Sequence, residues 1–136
     1  VDLRGQTVFY AGPTPTPPGK ACGAIGPTTS MRMDAFTPRL LRYGVNAMIG
    51  KGERGEAVRA AIMETGAVYF AAIGGCAAYM AACVEALEVV AYDDLGTESI
   101  KRLTVRDLPL TVALDAQGGD AYAMGAERYR ELCQNP

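Results

Sequence analysis

Four residues carry the chemistry this chain could perform: Thr28, Thr29, Arg32 and Lys51. The first three lie in "GPTTSMRMD", residues 26–34, and the fourth in "IGKGERG", residues 49–55. A helix start offers unpaired backbone N–H groups and a positive dipole end, and such ends bind anions. Threonine hydroxyls add neutral donors there, and Arg32 adds a planar fork that meets a carboxylate at two points. Thr28 and Arg32 are four positions apart, so a helix would set both on one face. By residue type alone the segment is either a helix cap or one side of an anion site, and most caps bind nothing.

Gly50, Gly52 and Gly55 fit G-x-G-x-x-G between a strand-like and a helix-like segment, the setting of a dinucleotide fingerprint. The acidic residue expected at the end of the next strand is absent, and Ile73, Gly74 and Gly75 stand there instead. A strand-end loop presenting Lys51 is the nearer reading, with a nucleotide-binding module on Gly50–Gly55 as the alternative. Gly74-Gly75 serves either for close approach to a ligand or for a tight turn. Asp93 and Asp94 precede Leu95-Gly96 as turn-forming aspartates do, and no chemistry is assigned to them.

The rest of the composition limits the chemistry. There is no histidine, which removes the commonest general base and metal ligand. Cys22, Cys76, Cys83 and Cys133 form no C-x-x-C pair and fit no zinc spacing; they read as reduced thiols in a reducing, cytoplasmic compartment. A net charge of −2 with scattered basic residues argues against a nucleic-acid surface. No apolar run reaches the roughly 18 residues of a membrane helix. The first residues, "VDLRGQTVFYAG", resemble a strand entered mid-protein rather than a signal peptide, so the chain is expected to be part of a longer polypeptide.

The elements that must position these residues follow from patterning. With 136 residues, 49% of them hydrophobic, one domain with a real core is expected. "QTVFYAG" (6–12) is a strand, and "PTPTPPGK" (13–20) a stiff extended connection. Residues 28–43 form one broken helix or two short ones, with Thr37-Pro38 as a second start and Gly44 as the stop. A strand at 45–49 leads through the Lys51 loop into a helix ended by Gly66, with Val58, Ala61, Ile62 and Thr65 on related faces. "AVYFAAI" (67–73) has the length and apolarity of a strand buried on both faces. A short helix in "CAAYMAACVEA", strands at 87–94, 99–106 and 108–115, and a C-terminal helix complete the chain. Strand–helix alternation predicts parallel βαβ units first and antiparallel pairing last, so the fold class is α/β, a mixed sheet flanked by helices. Ligands in such sheets collect at the carboxyl ends of the strands, where Lys51 and Gly74 sit. If the 12–28 loop folds over that edge, Thr28 and Arg32 join them, and the two cations with their hydroxyls suit a substrate with two carboxylates.

"GPTTSMRMD", "IGKG", "FAAIGGCAA" and "VVAYDDLGTESI" follow one another as in a known family. From about Gly5 to about Tyr122 the chain resembles the β subunit, or C-terminal domain, of the iron–sulfur hydro-lyases, the class I fumarases and L-tartrate dehydratases. The resemblance implies a swivelling β/β/α fold over residues 1–136. It also implies reversible hydration of a dicarboxylic acid, fumarate to malate first, as in the tricarboxylic acid cycle. The implied cofactor is a [4Fe-4S] cluster held by an alpha partner and not by this chain, with one open iron acting as a Lewis acid. By motif position, Thr28 corresponds to the proposed catalytic base, with Thr29, Arg32 and Lys51 binding substrate. The family's upstream Arg-Asp and His motif does not fall within this sequence, so the chain is expected to be inactive without its partner and to work in a dimer of the whole unit.

Overall fold

The computed structural model describes residues 1–134. β1 (Thr7–Phe9), β2 (Ala47–Gly50) and β3 (Val68–Ala71) are parallel neighbours, and β6 (Thr111–Leu114) adds antiparallel to β3, in the order β1-β2-β3-β6. The connection from β1 to β2 contains the 3-10 turn Ser30–Met33 and α1 (Thr37–Tyr43). That from β2 to β3 is α2 (Glu56–Thr65). The α/β class and the mixed sheet flanked by helices are as the patterning predicts.

Both helix stops have the expected cause. Gly44 at φ 117° and Gly66 at φ 72° are left-handed, and their N–H groups close on carbonyls of the preceding turn. The Thr37 start is different. Thr37 is already inside α1, and its hydroxyl donates to the Met33 carbonyl at 2.8 Å instead of capping the N–H groups that follow. Of the face predicted for α2, Val58, Ala61 and Ile62 are buried but Thr65 is exposed, its hydroxyl returned to the Ala61 carbonyl.

The sheet is covered on both faces, which explains the unbroken apolar run at β3. Strand alternation sends Met48 and Tyr69 to one core with Leu41, Val45, Val58 and Ile62 of the α1–α2 layer. Ile49 and Phe70 go to the other, with Cys22, Ile25, Met80 and Val84. That second face is roofed by α3 (Ala77–Ala82) and by a separate ribbon, β4 (Val84–Ala91) paired antiparallel with β5 (Ile100–Val105). Two expectations change here. β4 begins at Val84 rather than residue 87, because Val84 is buried and pairs with Val105. The β4–β5 pair also lies outside the four-stranded sheet, leaving β6 alone to supply the antiparallel partner of β3.

α4 (Ala121–Gln134) lies against β6 and buries none of its residues, and no helix among the described residues is long and apolar enough to cross a membrane. Ile62, fully buried in the α1–α2 core, should therefore cost about 3 kcal/mol when cut to Ala, whereas Leu132→Ala, on the exposed turn of α4, should cost little. Denaturant melts of the two variants check this contrast.

Candidate functional site

The carboxyl end of β2 carries the site. Thr28, Thr29 and Ser30 run beside it in an extended path, with Thr29 bridged in parallel to Lys51. Lys51 N–H donates to the Thr28 carbonyl at 3.2 Å, and Ser30 N–H donates to the Lys51 carbonyl at 3.1 Å. Thr28 is held on its other side by Tyr10, whose carbonyl accepts from the Thr28 N–H at 2.8 Å and from Oγ1 at 3.2 Å. Thr28 and Arg32 therefore do not share a helix face. Helical structure starts only at Ser30 and lasts four residues, and Thr29 makes no side-chain cap. The strand-like bond pattern to Lys51, a partner distant in sequence, outcompetes the local helix signal.

The four predicted residues nevertheless arise on one edge. Thr28, Thr29, Arg32 and Lys51 are exposed, and among the described residues neither cation makes an ion pair or a side-chain hydrogen bond. The Lys51 side chain lies along the β3 turn: a Cβ on Gly74 would be 3.9 Å from its Nζ. Gly26 packs on Ala77, and Ile25 N–H donates to the Ala77 carbonyl at 3.1 Å, fixing "GPTT" against the start of α3. Thr97, from the segment after Asp93-Asp94, donates to the Pro13 carbonyl at 3.3 Å and sits where a Gly12 side chain would be. All four sequence motifs thus meet at the carboxyl edge of the parallel strands. Asp93 and Asp94 are exposed and make no ion pair among the described residues.

Underneath lies a polar network that the sequence reading missed. Arg54 is 1% exposed. Its Nε donates to Asp34 Oδ1 at 2.7 Å, Nη2 to Thr37 Oγ1 at 2.8 Å and Nη1 to Met48 Sδ at 3.5 Å. Its guanidinium lies 5.4 Å from the Tyr10 ring centroid and 5.0 Å from that of Tyr69. The other Asp34 oxygen accepts the Gly55 N–H at 2.6 Å. The Tyr69 hydroxyl donates to the Gly52 carbonyl at 3.0 Å, and its oxygen lies 3.1 Å from Ser30 Oγ, whose hydroxyl can donate to it. Burial holds the Tyr69 phenol above its ordinary range, an effect partly offset by the Ser30 hydrogen bond. Asp34 and Arg54 stand inside the two motifs singled out from sequence, but nothing in their spacing says that they are the buried pair while Arg32 and Lys51 face outward.

This network accounts for the glycine pattern. A Cβ on Gly50 would lie 1.7 Å from Ser30 Oγ, Gly52 is left-handed at φ 82°, and Gly55 gives its N–H to Asp34. A phosphate at the α2 start would have to displace that carboxylate, which removes the geometric basis of the nucleotide alternative.

Exposed hydroxyls beside unpaired cations attract an anion and hydrogen-bond it, and two cations suit two carboxylates. The surface is open. A groove of about 780 Å³ lies away from it between β6 and α4, lined by Val112, Asp115, Met124 and Arg128 among others. No three Cys, Asp or Glu side chains among the described residues could hold a metal ion. Cys22 and Cys83 are buried, and burial pushes the Cys22 thiol up, away from the thiolate an iron ligand requires.

An α/β domain with an anion-attracting surface at the carboxyl end of its parallel strands is the class that fold and site define. Within that class, the family model described as "Fumarase C-terminus" matches residues 1–125, and the chain belongs to that family. It is 38% identical over 122 residues to the aerobic class I fumarate hydratase of Escherichia coli (strain K12), a match covering 88% of this chain and 22% of that protein. It is 35% identical over 127 residues to a putative class I fumarate hydratase of Geobacillus stearothermophilus, covering 90% and 25%. A putative L(+)-tartrate dehydratase subunit beta of Methanocaldococcus jannaschii is 35% identical over 127 residues, covering 89% and 65%. The chain thus spans between a fifth and a quarter of the length of these fumarate hydratases.

Two outcomes check the network. Arg54→Leu leaves the Asp34 carboxylate without its cation in a largely buried place, and should cost about 3 kcal/mol in a denaturant melt. Tyr69 sets a pH dependence: above its ordinary pKa of 10.0 the unfolded chain ionises while the folded chain keeps the proton, so stability falls as pH rises. The stability advantage of the wild type over Tyr69→Phe should hold below the ordinary pKa of 10.0 and shrink as the pH rises above it; a constant advantage contradicts the assignment.

Proposed function

We propose that this chain is the substrate-binding wall of an iron–sulfur hydro-lyase that reversibly hydrates a dicarboxylic acid, with fumarate to malate as the leading reaction. The observation that carries this is the meeting of Thr28, Thr29 and Lys51 across the Thr29–Lys51 bridge, with Arg32 one turn on and both cations unpaired. Membership of the fumarase C-terminal family supports a dicarboxylate as the substrate class for that edge. Arg32 meets one carboxylate with two parallel N–H groups, and Lys51 meets the other as a point charge.

Thr28 is the proton-handling group. Its hydroxyl proton points to the Tyr10 carbonyl, which leaves the oxygen lone pairs turned from the main chain and able to accept. In dehydration, Thr28 as its alkoxide would take the proton from the carbon next to the one that loses hydroxide, the hydroxide leaving on the side of the partner; in hydration the Thr28 hydroxyl would return the proton. A threonine hydroxyl is a weak base, and the Arg32 and Lys51 charges favour its deprotonated form.

Among the described residues no grouping of side chains fits an iron–sulfur cluster, and Cys22 and Cys83 are buried. We assign the [4Fe-4S] cluster to an alpha partner, in line with the "subunit beta" in the name of the Methanocaldococcus relative. The chain is then one domain of a larger cytoplasmic unit that works as a dimer of the whole. L-tartrate dehydration is the second reading, favoured by the 65% coverage of that same relative.

The test is anaerobic reconstitution with the cluster-bearing partner, following fumarate and tartrate by absorbance. Thr28→Ala, at an exposed position, should keep the fold and lower turnover by at least about a hundredfold. Near-normal turnover of a folded Thr28→Ala complex overturns the role of Thr28, and a wild-type complex that turns over neither acid overturns the function.

A further inference from the structure

We propose that Tyr69 is a positioning residue for the dicarboxylate site, an inference that rests on the function proposed above. Its buried hydroxyl sets the place of Lys51 relative to Thr28 and Thr29.

Lys51 stands between two residues without side chains. Gly50 is the last residue of β2, held by ladder bonds to β3. Gly52 adopts a left-handed backbone and a Cβ there would meet nothing within 4 Å, so no side-chain packing restrains it. The Lys51 carbonyl is held by the Ser30 N–H, but the next peptide, Gly52–Glu53, is free to turn unless something binds its carbonyl. Tyr69 does so, donating to the Gly52 carbonyl at 3.0 Å. The same hydroxyl lies 3.1 Å from Ser30 Oγ, the side chain of the residue that follows Thr29. One oxygen atom thus touches the residue after the cation and the residue after the two threonines.

That oxygen is a fixed point. Tyr69 belongs to β3, is 0% exposed, and its ring packs 5.0 Å from the Arg54 guanidinium. Arg54 is itself held by Asp34 and Thr37, so the ring has no freedom to follow a moving loop. Ser30 fits over Gly50 so closely that no other residue there would leave its hydroxyl in place. Backbone bonds between residues 28–30 and Lys51 set the register of the two segments. The Tyr69 hydroxyl adds the restraint on the far side of Lys51, at the hinge from which its ammonium is aimed toward Gly74. Tyr69 is buried and makes no contact with the exposed surface where the substrate would lie, so it acts through Lys51.

The test is Tyr69→Phe in the complete enzyme with its partner, a change that keeps the ring and deletes one oxygen. Amide hydrogen exchange should speed by about tenfold at Ser30 and Lys51 and stay unchanged in β3 and α2, as for local rather than global opening. The KM for the dicarboxylate should rise about tenfold with kcat changed far less, the signature of lost substrate binding. Ser30→Ala, which removes one of the two partners of the hydroxyl, should show a smaller version of the same pattern and serves if Tyr69→Phe does not fold. Unchanged exchange at Ser30 and Lys51 overturns the proposal, as does a uniform rise across β2, β3 and α2, which marks a merely structural role. A wild-type complex that hydrates no dicarboxylate overturns the functional reading instead, while the exchange pattern still decides whether Tyr69 restrains Lys51.

Discussion

The buried ion pair between Arg54 and Asp34 is the interaction on which the rest of this surface depends. It joins the loop after β2 to the end of the 3-10 turn Ser30–Met33, two segments that no helix or sheet would otherwise hold in fixed relation beyond the single Thr29–Lys51 bridge. A buried guanidinium is costly unless every N–H finds a partner, and here the fork is matched by a carboxylate, a threonine oxygen and a methionine sulfur between two aromatic faces. Only arginine has the planar set of donors for this arrangement; a lysine would satisfy one partner and strand the others.

The pair also sorts the charges. Arg32, Asp34, Lys51 and Arg54 share these two loops, and pairing Asp34 inward with Arg54 leaves Arg32 and Lys51 without an internal counter-ion among the described residues. Asp34 additionally occupies the N–H of Gly55 at the start of α2, so that helix end is already filled. What remains open to an incoming anion is the edge carrying Thr28, Thr29, Arg32 and Lys51. The inner pair therefore supplies both the rigidity of the site and its outward positive character.

Much of the frame was legible because it rests on local physics. Glycine stops at Gly44 and Gly66, the apolar run at Val68–Ala71 and strand–helix alternation each have a single structural solution, and the parallel strands with their helices follow. The location of the site was legible for a related reason, since loops at strand carboxyl ends converge. What was not legible depends on contacts distant in sequence. Thr28 and Thr29 look like a helix start but pair with Lys51 as a strand would. The β4–β5 ribbon has ordinary strand composition, and only its packing on the second core separates it from the main sheet. Arg54 carries no mark of burial in a loop of glycines and glutamates; the two tyrosines that enclose it come from β3 and from the residue after β1.

The account turns on whether Arg32 and Lys51 are the carboxylate contacts of the assembled enzyme. A structure of the complete partner-bound enzyme with a dicarboxylate in place reads this directly. The account predicts carboxylate oxygens within about 3 Å of Lys51 Nζ and of the Arg32 guanidinium, with Thr28 Oγ1 facing the carbon chain and the Arg54–Asp34 pair intact. A dicarboxylate bound elsewhere on this domain, in the groove between β6 and α4 or at the start of α2 with Asp34 displaced, would contradict it.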